Sequence, residues 1–135
     1  MYLYELEEPY FIHCPHLQGL EFQNEWLSLH NGVIEIAKGY AWDGCSPKWR
    51  IWGKVIGIWD GSISAITNKP KTYYASLVHD ALYQFAKQIA EQNGIKLKDV
   101  KTAADLTFFY VMKKHGFPLA KPYYIAVRIL GGLFI

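Results

Sequence analysis

Asp43, Ser46, His79, Asp80 and Asp105 are the residues whose types and spacing allow chemistry in this chain. The stretch ASLVHDALYQF, Ala75 to Phe85, sets His79 and Asp80 side by side inside an apolar helical pattern. Adjacent helical positions diverge by about 100°, so the two side chains cannot aim equally well at one point, although a metal or water between helices can still engage both. Ser76, Asp80, Tyr83 and Lys87 follow at i, i+4, i+7 and i+11, which places them together opposite the apolar stripe, with His79 on its flank. Asp105, in TAADLTFFYVMKKHG, projects among Phe108, Phe109 and Met112, its neighbours three, four and seven places on. A carboxylate in apolar packing costs several kcal/mol, roughly, unless a cation, a metal or hydrogen-bond donors meet it. His79, Arg128, Arg50 and a bound metal are the candidates.

The segment GYAWDGCSP adds Asp43 and Ser46. Asp-Gly allows a tight turn, Ser-Pro can start a new turn or helix, and both side chains can simply bond nearby backbone amides. Together, however, Asp43, His79, Asp80 and Asp105 offer four oxygen or nitrogen ligands. Such a set, with His79, Asp80 and Asp105 as ligands, suits a divalent metal that lowers the pKa of a bound water and makes hydrolysis feasible near neutral pH. A serine mechanism can also be written, with Ser46 as nucleophile, His79 as base and Asp105 or Asp80 orienting the ring. It ranks lower because Ser46 precedes a proline and lacks the G-x-S-x-G elbow.

Other polar and aromatic residues point less clearly to chemistry. His13 and His16 have an H-x-x-H spacing, but a strand end interrupted by Pro15 is a poor rigid scaffold for a metal, and surface histidines are the simpler reading. His30 adjoins a turn and reads as exposed. Trp42, Trp49, Trp52 and Trp59 could line a groove for a sugar or a protein, though core packing explains them as well.

The elements that must position these residues divide into strands first and helices second. In EWLSLHNGVIEIAKGY, Asn31-Gly32 separates two apolar runs, and both turn positions need the positive φ that these residue types tolerate; this predicts a hairpin. A third strand, near Tyr10 to Cys14, is expected to join it, and Gly39 to Pro47 to end the sheet region. Lys48 to Lys71 holds no single period and reads as a long excursion with one short helix. Three helices are expected next. The first runs from about Thr72 to Gln92 with Asn93-Gly94 as its stop, the second from near Asp99 to His115-Gly116, and the third from about Leu119 to Leu130. This order predicts a single α+β domain in which helices pack on one face of a small antiparallel sheet.

Composition narrows the function classes. The chain has 135 residues, 51% hydrophobic and 16% aromatic, enough for one sizeable core and too apolar for disorder. Net charge is +2 with no long run of Lys or Arg, which argues against a nucleic-acid partner. Neither Cys14 nor Cys45 has a C-x-x-C partner, and both read as small buried hydrophobes. The amino terminus lacks a secretory pattern, so a reduced, cytoplasmic compartment is expected. YYIAVRILGGLFI is shorter than the roughly 20 residues a bilayer core needs and carries Arg128, so it is expected to be a buried helix, with no transmembrane segment.

The motifs, taken together, resemble a known family. Gly39, Asp43, Gly44, Ser46 and Pro47 are followed by His79, Asp80, Leu82 and Tyr83, then by Ala104, Asp105 and Phe108, and last by Tyr124, Val127, Arg128 and Gly131. This order is similar to that of the phage and prophage family catalogued as domain of unknown function 1353, over most of the chain from Val33 onward. The resemblance implies a phage or prophage origin and ties Asp43, Ser46, His79, Asp80 and Asp105 into one polar set; it implies no particular activity. Metal-dependent phosphohydrolases of the HD class also carry a His-Asp doublet on a helix. They need a further helical histidine upstream, where this chain reads as strand and loop.

Two functions remain open at this level. One is a small metal-assisted hydrolase acting on a small-molecule or cell-wall substrate. The other is a non-enzymatic phage structural or host-interaction protein in which the same residues form a buried network that fixes the helices.

Overall fold

The computed structural model describes residues 4–42, 73–116 and 120–134, and these form an α+β domain. Strands β1 (Tyr4–Glu5), β2 (Tyr10–His13), β3 (Phe22–Gln23), β4 (Leu27–His30), β5 (Val33–Ile36) and β6 (Ala41–Trp42) precede four helices, α1 (Tyr73–Gln84), α2 (Ala86–Asn93), α3 (Leu97–Lys114) and α4 (Ala120–Phe134).

The Asn31-Gly32 hairpin forms as expected. Both residues have positive φ, 51° and 78°, and the turn sets the register Leu27↔Ile36, Leu29↔Ile34 and His30↔Val33. With period-2 alternation this register sends Leu27, Leu29, Ile34 and Ile36 to one buried face. β2 pairs antiparallel with β5 and adds Ile12 to that face, while β3 closes the other side in the order β2-β5-β4-β3. The sheet region extends further than the turn residues of Gly39 to Pro47 suggested. Ala41–Trp42 pairs with Tyr4–Glu5, and backbone bonds between Leu6 and both Tyr40 and Gly39 continue that pairing.

The first expected helix is divided. Phe85, at φ −105° and ψ 14°, leaves helical geometry between α1 and α2, with its ring 6.3 Å from that of Phe22 on the sheet. α2 then stops where Asn93-Gly94 predicts: Gly94 is left-handed at φ 63°, its N–H reaches the carbonyls of Ala90 and Glu91, and Ile95 N–H also bonds Ala90 O. At the end of α3, His115 and Gly116 donate to the carbonyls of Val111 and Lys113. α4 runs past Gly131-Gly132, because two glycines weaken a helix without forbidding it.

α1 is the central helix, buried at Ala75 through His79 and again at Ala81 through Tyr83. On its polar side, which the sequence alone places opposite an apolar stripe, Ser76 and Tyr83 are buried and Asp80 is half-buried, while Lys87, on α2, is exposed. Tyr10 stacks on Tyr74 with centroids 4.4 Å apart, Tyr40 Oη donates to Gln84 Oε1 at 2.7 Å, and the Cys14 thiol meets Thr107 Oγ1 at 3.6 Å. These contacts tie the sheet to α1 and α3. Among the described residues no helix is long and apolar enough to cross a membrane.

Candidate functional site

Asp105 is the centre of the polar cluster. It lies on α3 among Ala104, Phe108 and Met112, all fully buried, and is itself only 1% exposed. An ionisable group so placed needs donors from elsewhere in the fold, and three side chains on two other helices provide them. His79 Nε2 lies 2.7 Å from Oδ1, Tyr83 Oη donates to the same oxygen at 2.8 Å, and Arg128 Nη1 donates to Oδ2 at 2.9 Å. His79 and Tyr83 are four residues apart on α1, so one helix face presents both to Asp105. Arg128 arrives from α4. A single carboxylate therefore joins α1, α3 and α4.

The geometry around His79 is confined. Its ring lies 4.2 Å from that of Tyr83 and 5.1 Å from that of Phe108, centroid to centroid, and none of the residue is exposed. Because a carboxylate only accepts, Nε2 carries the hydrogen shared with Asp105, and this orients Nδ1 toward Asp80. Nδ1 and Asp80 Oδ1 are 4.0 Å apart, too far for a direct hydrogen bond but close enough for an electrostatic interaction. Asp80 keeps 15% of its side chain exposed. Ser76, His79 and Asp80 make further interactions besides these.

Burial pushes the Tyr83 hydroxyl well above the usual tyrosine range, the adjacent Asp105 charge and hydrogen bond push it the same way, and Arg128 opposes them. Tyr83 is thus held as a neutral donor. Arg128 differs from the other members in having 39% of its side chain exposed, so the network opens onto solvent at its guanidinium.

Of the residues that the sequence singles out, His79, Asp80 and Asp105 come together. Asp43 and Ser46 lie outside the described residues, as do Cys45, Arg50 and the excursion from Lys48 to Lys71 with Trp49, Trp52 and Trp59. Two of the proposed partners of Asp105, His79 and Arg128, bind it at once. The direct bond from Tyr83 was not anticipated, although its spacing of four from His79 carried the signal. Both oxygens of Asp105 receive protein donors, and among the described residues no three His, Cys, Asp or Glu side chains form a group placed to hold a metal ion. In this arrangement Asp105 orients His79.

The remaining histidines stand apart from the cluster. His13 and His16 are exposed, and His30 is exposed but paired with Glu21 at 2.8 Å. A polar groove of about 240 Å³ beside β3 and β4 is lined by Glu21, Ser28, His30 and Gln92, with no member of the Asp105 network.

No family model matches the chain, and no curated protein or solved structure matches it.

Proposed function

We propose that this is a non-enzymatic phage or prophage protein, a structural or host-interaction component, in which the Asp105 network fastens three helices into one body. One observation carries the reading: both oxygens of a buried carboxylate are taken by His79, Tyr83 and Arg128. A polar network that satisfies its members selects one packing over others, and removing one partner leaves an uncompensated buried group. Exposed Ile125 and Ile129 on α4 add an apolar surface of the kind that interaction proteins present. The phage or prophage origin rests on the resemblance of the motifs around Asp43, His79, Asp105 and Arg128.

A second reading, a metal-assisted hydrolase, is favoured by one feature: His79 has a carboxylate facing each ring nitrogen, Asp105 at Nε2 and partly exposed Asp80 at Nδ1. A histidine oriented by one carboxylate can bind a metal or move a proton through its other nitrogen. His79 and Asp80 would then be ligands, Asp105 the orienting group, and a small-molecule or cell-wall component the substrate.

Elemental analysis of protein purified without chelator, run beside thermal unfolding of Asp105→Asn, separates the two. The structural reading expects a markedly lowered melting temperature and no stoichiometric divalent metal. One metal per chain, lost in His79→Ala while the fold is retained, contradicts it and supports the hydrolase.

A further inference from the structure

Charge is segregated along this chain in a way that its small net value conceals. From Leu106 to Ile135 there is no Asp or Glu, while Lys113, Lys114, Lys121 and Arg128 give that segment a formal +4. The other ten Lys and Arg are spread among all twelve Asp and Glu, so residues 1–105 carry a formal −2. An asymmetry of this size between parts of one domain points to a charged partner for the basic part.

The fold brings this basic segment and an apolar one to the same place. On α4 the exposed described residues are Lys121, Ile125, Arg128 and Ile129, at i, i+4, i+7 and i+8, which is one stripe of the helix. Ile125 is 46% exposed and Ile129 67%, while Tyr123 and Val127 turn inward to the core. The outer stripe therefore joins two apolar side chains to two cationic ones. Tyr124, beside the stripe, packs on Phe109 of α3 with centroids 5.2 Å apart, and Lys113 Nζ sits 5.3 Å over that Phe109 ring. Lys113, itself exposed, thereby borders the α4 surface. The charge of Arg128 is offset by Asp105, so Lys113 and Lys121 supply the field.

We infer that this face, Ile125 and Ile129 framed by Lys113 and Lys121, docks on an anionic lipid surface. An interfacial helix joins apolar side chains that enter the headgroup boundary to cations that attract acidic lipids, and this stripe has both and no acid. A second copy of the chain would set two basic faces against each other, which opposes self-association there. Nucleic acid would use the cations and leave two exposed isoleucines unexplained. The inference extends the interaction role proposed above by giving its partner class, yet it depends on none of the Asp105 network bonds, so either can fail alone.

Vesicle flotation with the intact chain is the test, using phosphatidylcholine vesicles and vesicles in which about a third of the lipid is phosphatidylglycerol. Flotation is expected only with the anionic vesicles and is expected to fall as salt is raised. Lys121→Gln should weaken it about fivefold, from roughly 1 kcal/mol per cation at such a surface. Ile125→Ser with Ile129→Ser should abolish it while leaving the melting temperature unchanged, since both side chains are exposed. Failure to float with anionic vesicles overturns the inference and leaves an acidic protein surface as the partner to seek. Flotation undiminished by the double serine variant overturns it too, because the isoleucine stripe would then not be the docking face.

Discussion

His79 Nε2 and Asp105 Oδ1 lie 2.7 Å apart across the α1–α3 interface, and neither residue has more than 1% of its surface exposed. Two groups that water would otherwise solvate are thus enclosed together, and each makes the other's burial tolerable. Tyr83 and Arg128 complete the set, so a change at any one member is felt by the others through Asp105.

Replacing Asp105 by Ala leaves three donors facing a cavity. Loss of one member of a buried charged set costs about 3–5 kcal/mol, and unfolding in urea should show that decrease. Far-UV circular dichroism of the folded fraction should change little, because the helices themselves do not depend on the carboxylate.

Tyr83→Phe removes one hydroxyl and retains the ring that packs on His79. The expected loss is about 1.5–3 kcal/mol, the range for a hydrogen bond to a charged group. A thermal melt checks it. An unchanged melting temperature would mean that Asp105 is satisfied without the hydroxyl.

Asn93 gives a separate prediction at the sheet edge. Its side-chain oxygen accepts from Glu21 N–H, and its amide nitrogen donates to Glu21 O, both at 2.9 Å, so the side chain pairs with the start of β3 as a neighbouring strand would. It also donates to Ile89 O at 2.8 Å. Asn93→Ala should destabilise the protein by about 1–2 kcal/mol and speed amide exchange at Glu21, which hydrogen-exchange mass spectrometry reads.

His115 stacks on Tyr74 with centroids 5.5 Å apart, next to the Tyr10–Tyr74 stack. Burial, and secondarily the charge of Lys114, lowers its pKa below the ordinary histidine value. The unfolded chain then binds this proton more readily than the folded one. Stability should therefore fall as pH drops through about 6.5, the unfolded value, and keep falling until the lower folded value is passed. His115→Phe should flatten that part of the pH profile of chemical denaturation.

The sheet was legible because its signals are local: Asn31-Gly32 fixes the turn, and the turn fixes which of Leu27, Leu29, Ile34 and Ile36 face the core. The end of α2 at Gly94 was legible for the same reason. The break at Phe85 was not, since the helical pattern continues across it and only tertiary contact, of which the Phe22 ring is part, accompanies the altered backbone. At the site, the need for a partner to Asp105 followed from its apolar neighbours alone. Its choice of His79, Tyr83 and Arg128 together required knowing how α1, α3 and α4 cross. Asn93 reads in sequence as a helix stop, and its pairing with Glu21, 72 positions away, has no local signature.

Whether the cluster fastens the helices is read out by a double-mutant cycle between His79 and Asp105 measured by urea unfolding. The variants are His79→Ala, Asp105→Ala and the pair. A structural bond predicts strong non-additivity: the double variant should be less destabilised than the two single losses combined, by roughly 1–3 kcal/mol, the range for residues sharing one network. Additive losses within about 0.5 kcal/mol would contradict it, because the two residues would then be close without depending on each other.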